Sequence, residues 1–160
     1  MASMARYDKL THVRGSRIYV RNAVYHLRTS TVNRAPLLAD CRCQQVVLEG
    51  LTHTAAALDF CILAYVVMPD HVHMVLQPRG AYNISAFMAS FKKHSSRKLN
   101  RRLGRKGPFW RREFFDHMLR SDEHLHQLID YIHDNPVRRG LAPSAAEWRF
   151  SSWQDAHAAD

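Results

Sequence analysis

The chain has 160 residues, 46% of them hydrophobic and 10% aromatic, and carries a formal net charge of +9. That length predicts one domain, residues 1–160, with a core of its own. No run of 18 apolar residues is present to form a membrane-spanning helix. The N-terminal stretch MASMARYDKLTHVRG has charges but no apolar centre, so no secretory signal is expected. The three cysteines, Cys41, Cys43 and Cys61, lack zinc-ligand spacing, which predicts reduced thiols in a cytoplasmic protein.

Residues 1–16 read as a loose lead-in. The next stretch, Ile18 to Thr31, is rich in Val, Ile, Tyr and Thr and predicts one or two strands. Val24, His26 and Arg28 would share one face, with Tyr25, Leu27 and Thr29 on the other. A turn follows at Asn33–Pro36. Apolar residues from Leu37 to Leu58 recur at three-, four- and seven-residue spacing, predicting a helix that starts near Pro36 and breaks near Gly50. Leu58 to Met68 is a second strand, and Pro69–Asp70 a tight connection. A third strand then runs from His71 to Gln77.

That third strand carries His71 and His73. Alternation along a strand puts both imidazoles on one face and Val72, Met74 and Leu76 on the other. The flanks, YVVM and MVL, are apolar and strongly β-forming, so the strand is expected to be central in its sheet. Two solvated strand histidines are the plain alternative. Two polar rings on a central strand need partners, however, and a side-by-side pair suits a metal site or a phosphate clamp.

Asn83 to Leu103 predicts a second helix with Ile84, Phe87, Met88, Phe91 and Leu99 on its apolar side. Lys92, Lys93, Arg97, Lys98, Arg101 and Arg102 fill the remainder. The basic run continues through Arg105 and Lys106 to Phe109, Trp110, Arg111 and Arg112. Between Lys92 and Arg112 there are ten Lys/Arg and no acid; elsewhere 13 bases face 14 acids. The whole positive excess sits in one segment. A basic helix face by itself is only a solvated face, but a confined excess points to a polyanion. Glycines, cations and adjacent aromatics predict a flexible loop that tracks phosphates and stacks on splayed bases, as single-stranded nucleic acid requires.

Glu113 to Arg120 predicts the fourth strand. A third helix is expected from Ser121, its N-cap, to about Asn135, stopped by Pro136. Leu125, Leu128, Ile129 and Ile132 form its core stripe, and Tyr131, His124 and Asn135 gather at the edge of that stripe, on a half-accessible ledge. Residues 137–160, with Trp148, Phe150 and Trp153, predict an irregular tail over the core.

The segments AYVVMPDHVHMVLQP, SFKKHSSRKLNRR, FWRREFFDHMLR, DYIHDNPVRRGLAP and WRFSSW occur in that order between residues 64 and 153. This combination resembles the single-tyrosine HUH transposases, most closely their REP-associated branch. The resemblance implies an α+β fold: a ferredoxin-like antiparallel sheet bearing the two histidines, with helices packed on it. It implies that His71 and His73 bind a divalent metal, Mg²⁺ or Mn²⁺, and that Tyr131 is the catalytic nucleophile. Asn135 falls where related enzymes place a third ligand, although insertion-sequence relatives often carry glutamine there. The implied substrate is single-stranded DNA with a hairpin, and the implied product a 5′-phosphotyrosine beside a free 3′-hydroxyl. A phenol, with its ordinary pKa of about 10, needs such a cation to attack a phosphodiester near neutral pH. Two other readings stay open: a non-cleaving DNA-binding relative, and a phosphodiesterase that uses water with Tyr131 structural. No membrane partner is expected, and the sequence leaves monomer or homodimer open.

Overall fold

The structure, a computed structural model, describes residues 20–120 and 123–158. The expected lead-in, the start of the first strand stretch, and the Ser121 cap lie outside the described residues. So does the His124 side chain.

Four strands alternate with helices: β1 Tyr25–Ser30, α1 Cys41–Leu58, β2 Phe60–Val67, β3 His71–Pro78, α2 Ile84–Leu103 and β4 Phe115–Met118. The sheet order is β2-β3-β1-β4 and every neighbouring pair is antiparallel. This βαββαβ order is the ferredoxin-like arrangement, and β3 is central as expected. After β4 come α3 Glu123–His133, a short turn of helix α4 Asn135–Arg138, and α5 Trp153–His157.

The sheet has an apolar layer on each face. On one face Tyr25, Leu27, Val72, Met74 and Leu76 meet Val47 and Leu51 of α1 and Phe87, Met88 and Phe91 of α2. On the other, Ala64, Val66, Met68 and Val75 meet Leu128, Tyr131 and Ile132 of α3. The alternation predicted for β1 and β3 therefore holds. β2 departs from it. A register shift between Ile62 and Ala64 puts Leu63 and Ala64 together on the α3 side, after which Tyr65 and Val67 return to the α1/α2 side.

Several expected boundaries move for identifiable reasons. α1 starts at Cys41, not near Pro36, because the Asp40 carboxylate caps it by accepting from the Arg42 amide at 2.7 Å. The preceding Leu38 amide is already committed to the Pro69 carbonyl at 2.8 Å. α1 also runs unbroken through Gly50. A Cβ there would lie 3.5 Å from Ser95 Cβ, so the glycine marks where α1 and α2 approach, not a break.

The loop before β4 is a second correction. Phe109 and Trp110 are not offered to solvent: they are 1% and 6% exposed and belong to the α1/α2-side core. The Trp110 indole N–H donates to Ser95 Oγ at 2.9 Å, and the residue bridges Thr31 at the end of β1. α3 ends at His133, and Pro136 opens α4 where a stop was expected.

The tail is likewise ordered. Ser151 bridges Val66 on β2. Val67 N–H donates to the Phe150 carbonyl at 2.9 Å, and Ser152 N–H to the Tyr65 carbonyl at 3.0 Å. Phe150 lies on one face of the sheet and Trp148 on the other, so the tail straddles the β2 edge. Among the described residues no helix is long and apolar enough to cross a membrane.

Candidate active site

β1, β3, α3 and α4 converge on a cleft of about 470 Å³ lined by Arg28, Arg34, His71, His73, Tyr131, Asn135, Arg138 and Arg139. β3 supplies the two imidazoles because alternation sends them to the α3 side of the sheet. Their ring centroids lie 5.0 Å apart with nearly perpendicular planes. Tyr131 stands edge-on to His73 with 6.2 Å between centroids. Asn135 Nδ2 lies 3.1 Å from His73 Nε2. The structure thus brings His71, His73, Tyr131 and Asn135 to one place. It does not make a half-accessible ledge of the last two: Tyr131 and Asn135 are each only 4% exposed.

Each imidazole is oriented by a partner on its other nitrogen. His71 Nδ1 is 2.6 Å from Asp70 Oδ1, and His73 Nδ1 is 2.9 Å from His26 Nε2. The rings are held neutral. Burial is the main cause pulling His71 down to about 4, against the opposing hydrogen bond and charge of Asp70. Burial also puts His73 well below its ordinary value, helped by His26, His71, Arg28 and Arg138. Burial alone would raise the Asp70 carboxyl. The His71 hydrogen bond, with Arg34 and Arg139, outweighs it and holds Asp70 below its usual range. The Asp70–His71 contact is therefore a neutral imidazole donating to a carboxylate, which leaves His71 Nε2 with its lone pair.

These donors suit a divalent cation. Among the described residues no three His, Cys, Asp or Glu side chains form a metal cluster, so an ion here would rest on two imidazoles and the Asn135 amide. Neutral rings already stripped of protons can bind without expelling one, and the open cleft leaves positions for substrate oxygens.

Arginines missing from the sequence-based set surround this group. The Arg138 guanidinium sits 4.0 Å from the centroid of the Tyr131 ring. Arg34 Nε reaches Asp70 Oδ2 at 3.4 Å, and Arg28 lies 5.4 Å from the Phe115 centroid. Arg34, Arg138 and Arg139 lie outside the charge-dense segment, and Asp70 has the local pattern of a turn residue, so the sequence carries no local mark of these contacts. Arg28 had one legible signal, its place on the strand face of His26. Arg138 and Arg139 are directed to the cleft by the fresh turn of helix that Pro136 opens.

The charge-dense segment lies elsewhere. α2 packs on the sheet face opposite the cleft. Lys93, Arg97, Lys98, Arg101, Arg102, Lys106, Arg111 and Arg112 are exposed there and along the following loop. Lys92 and Arg105 are half-buried and engaged in the fold. Lys92 Nζ donates to the Arg111 carbonyl at 2.7 Å, and Arg105 covers the Phe109 ring at 5.7 Å. Trp110 is in the core and is not a stacking platform. The loop does reach the sheet end that bears His71. Arg111 N–H donates to the Ser30 carbonyl, and Ser30 pairs with His71 across β1 and β3.

Comparison with known proteins agrees with this architecture. A REP-associated tyrosine transposase from Escherichia coli is 25% identical over 86% of this chain and 80% of its own length. A Haemophilus influenzae protein carrying a provisional name of the same kind is 32% identical over 59% of each chain, so this chain spans less than two thirds of that relative. A solved REP-associated tyrosine transposase bound to a REP hairpin superposes with a TM-score of 0.78, covering 92% of this chain and 86% of that one. Its 24% identity speaks to the fold. Residues 19–135 match the family model described as IS200-like transposase, about three quarters of the sequence. The chain belongs to the IS200-like transposase family.

Proposed function

We propose that the protein is a metal-dependent single-stranded-DNA endonuclease and strand transferase in which Tyr131 is the nucleophile. The observation that carries this reading is the single cleft in which Tyr131 lies edge-on to His73, beside His71 and Asn135. The Tyr131 oxygen attacks the scissile phosphorus and gives its proton to solvent. The bond from phosphorus to the 3′ oxygen breaks and that oxygen takes a proton from solvent, leaving a 5′-phosphotyrosine and a 3′-hydroxyl. The phosphodiester energy is conserved in the covalent link, so a second strand end can reverse the step without ATP.

His71, His73 and Asn135 would hold Mg²⁺ or Mn²⁺, and imidazole donors incline the site toward Mn²⁺. When bound, the ion supplies charge stabilisation on the phosphoryl oxygens and alignment for in-line attack. Arg34, Arg138 and Arg139 supply fixed positive charge where the phosphate enters. Arg138, over the Tyr131 ring, places one such charge beside the nucleophile. The exposed cations of α2 and of residues 106–112 hold the rest of the DNA. A hairpin with a single-stranded flank is the favoured substrate, in keeping with the hairpin held by the structurally similar transposase.

The test is incubation with Mn²⁺ and labelled hairpin oligonucleotides taken from inverted repeats flanking the gene. A covalent protein–DNA adduct is expected, and Tyr131→Phe abolishes it. An adduct that survives in Tyr131→Phe refutes the assignment of the nucleophile. One observation favours the second reading, binding without cleavage: the Tyr131 ring is buried beneath Arg138. Under that reading no adduct forms, and His71→Ala leaves hairpin affinity unchanged.

A further inference from the structure

His26 has no place in the ligand set and none in the DNA-binding set. It lies on β1, two residues from the position facing His73: Arg28 pairs with His73, and His26 with Val75. Being on the same sheet face, it reaches His73 diagonally. The two rings stack with 5.2 Å between centroids and 21° between planes, and His26 Nε2 lies 2.9 Å from His73 Nδ1. Phe115 of β4 closes the far side edge-on. The residue is 1% exposed, and its other nitrogen, Nδ1, is buried with no hydrogen-bond partner among the described residues.

With the Asn135 amide presenting Nδ2 to His73, the hydrogen-bond chain has one arrangement of protons: the amide N–H donates across 3.1 Å and His73 Nε2 accepts. His73 then carries its proton on Nδ1 and donates it to His26 Nε2. His26, accepting on Nε2, then holds its own proton on Nδ1. His71 has the same tautomer for a different reason, since its Nδ1 faces the Asp70 carboxylate. The two β3 rings are thus set alike by unlike partners, one an acidic turn residue and the other a neutral imidazole from the neighbouring strand.

We infer that His26 is the positioning residue of the site: it accepts the His73 Nδ1 proton and so holds the Nε2 lone pair of His73 ready for a cation. Outer-shell partners of this kind fix the tautomer and ring orientation of metal-binding histidines. The consequence for a cation rests on the metal-binding reading above, whereas the tautomer does not. Asn135 completes the arrangement, because turning its amide about the last side-chain bond would present Oδ1 to an ion in place of Nδ2.

The experiment has two arms on the full chain. Long-range ¹H–¹⁵N spectra of the metal-free wild type, with His73→Ala for assignment, report the tautomer; His73 protonated on Nδ1 is expected. A His73 ring protonated on Nε2 overturns the inference, and this arm needs no altered His26. In the second arm, Mn²⁺ affinity is read by electron paramagnetic resonance for wild type, His26→Leu and His26→Gln, with circular dichroism confirming the fold. His26→Leu should weaken binding roughly 10–100-fold, while His26→Gln, whose side-chain oxygen can still accept, should stay within about threefold. Equal affinity in wild type and His26→Leu overturns the inference. If the wild type shows the expected tautomer yet binds no Mn²⁺, His26 stands as the residue that orients His73 and the metal-dependent function falls.

Discussion

Trp110 separates two roles that an aromatic in a basic loop can play. As a base-stacking platform its loss would weaken DNA binding by about 1–3 kcal/mol and leave the fold alone. The structure gives it the other role. It is 6% exposed, packs against Phe91 with 5.7 Å between ring centroids and against Phe109 with 5.1 Å, and donates its indole N–H to Ser95 Oγ. A buried tryptophan hides roughly 150–250 Å², which at about 25 cal/mol per Å² corresponds to roughly 4–6 kcal/mol. Measured truncations of this kind fall near 3–5 kcal/mol, since alanine keeps part of the buried area and an area sum against an extended chain is an upper bound. Trp110→Ala should therefore lower the unfolding free energy by about 3–5 kcal/mol. Trp110→Phe keeps the ring contacts and loses the hydrogen bond and some volume, at about 1–2 kcal/mol. Urea unfolding followed by circular dichroism measures both. Hairpin affinity of Trp110→Phe, measured below its unfolding transition, should match wild type. A Trp110→Ala protein that loses under about 1 kcal/mol of stability yet binds hairpin DNA tenfold more weakly would refute the assignment.

Two further perturbations follow from the packing and the buried imidazoles. His26 is held down to about 3, mainly by burial and then by the charges of Arg28 and His117, and His71 to about 4; both stand at 6.5 when unfolded. The unfolded chain therefore takes up protons first. The stabilisation from the neutral rings is complete above pH 6.5 and is lost as pH falls toward 4. By pH 5 each ring accounts for up to roughly 2 kcal/mol, with His73 acting in the same direction. Urea midpoints at pH 7.5 and 5.0 measure the loss, and identical midpoints would contradict it. Gly50→Ala should be neutral or stabilise by up to about 1 kcal/mol, since helix propensity favours alanine and the added Cβ meets only ordinary contacts at 3.5 Å and beyond. A drop in thermal midpoint would show that α1 and α2 need the closer approach.

What local pattern could determine, it did. Alternation sent His71 and His73 to one face and Val72, Met74 and Leu76 to the other. Helical spacing picked out the apolar side of α2 and the place of Tyr131 beside Leu128 and Ile132. Motif order led to the fold and family. These features repeat within a few residues, so they can be read from one segment at a time. Tertiary structure decided the rest. The register of β1 on β3 makes His26 a neighbour of His73 across 47 positions of sequence. The turn opened by Pro136 brings Arg138 over Tyr131, the shift between Ile62 and Ala64 resets the faces of β2, and closure of the sheet end draws Phe109 and Trp110 inward. The Pro136 turn is a local break in the helical repeat, and the others depend on which distant segment lies alongside; side-chain periodicity, being a regular property of one segment, carries no record of either.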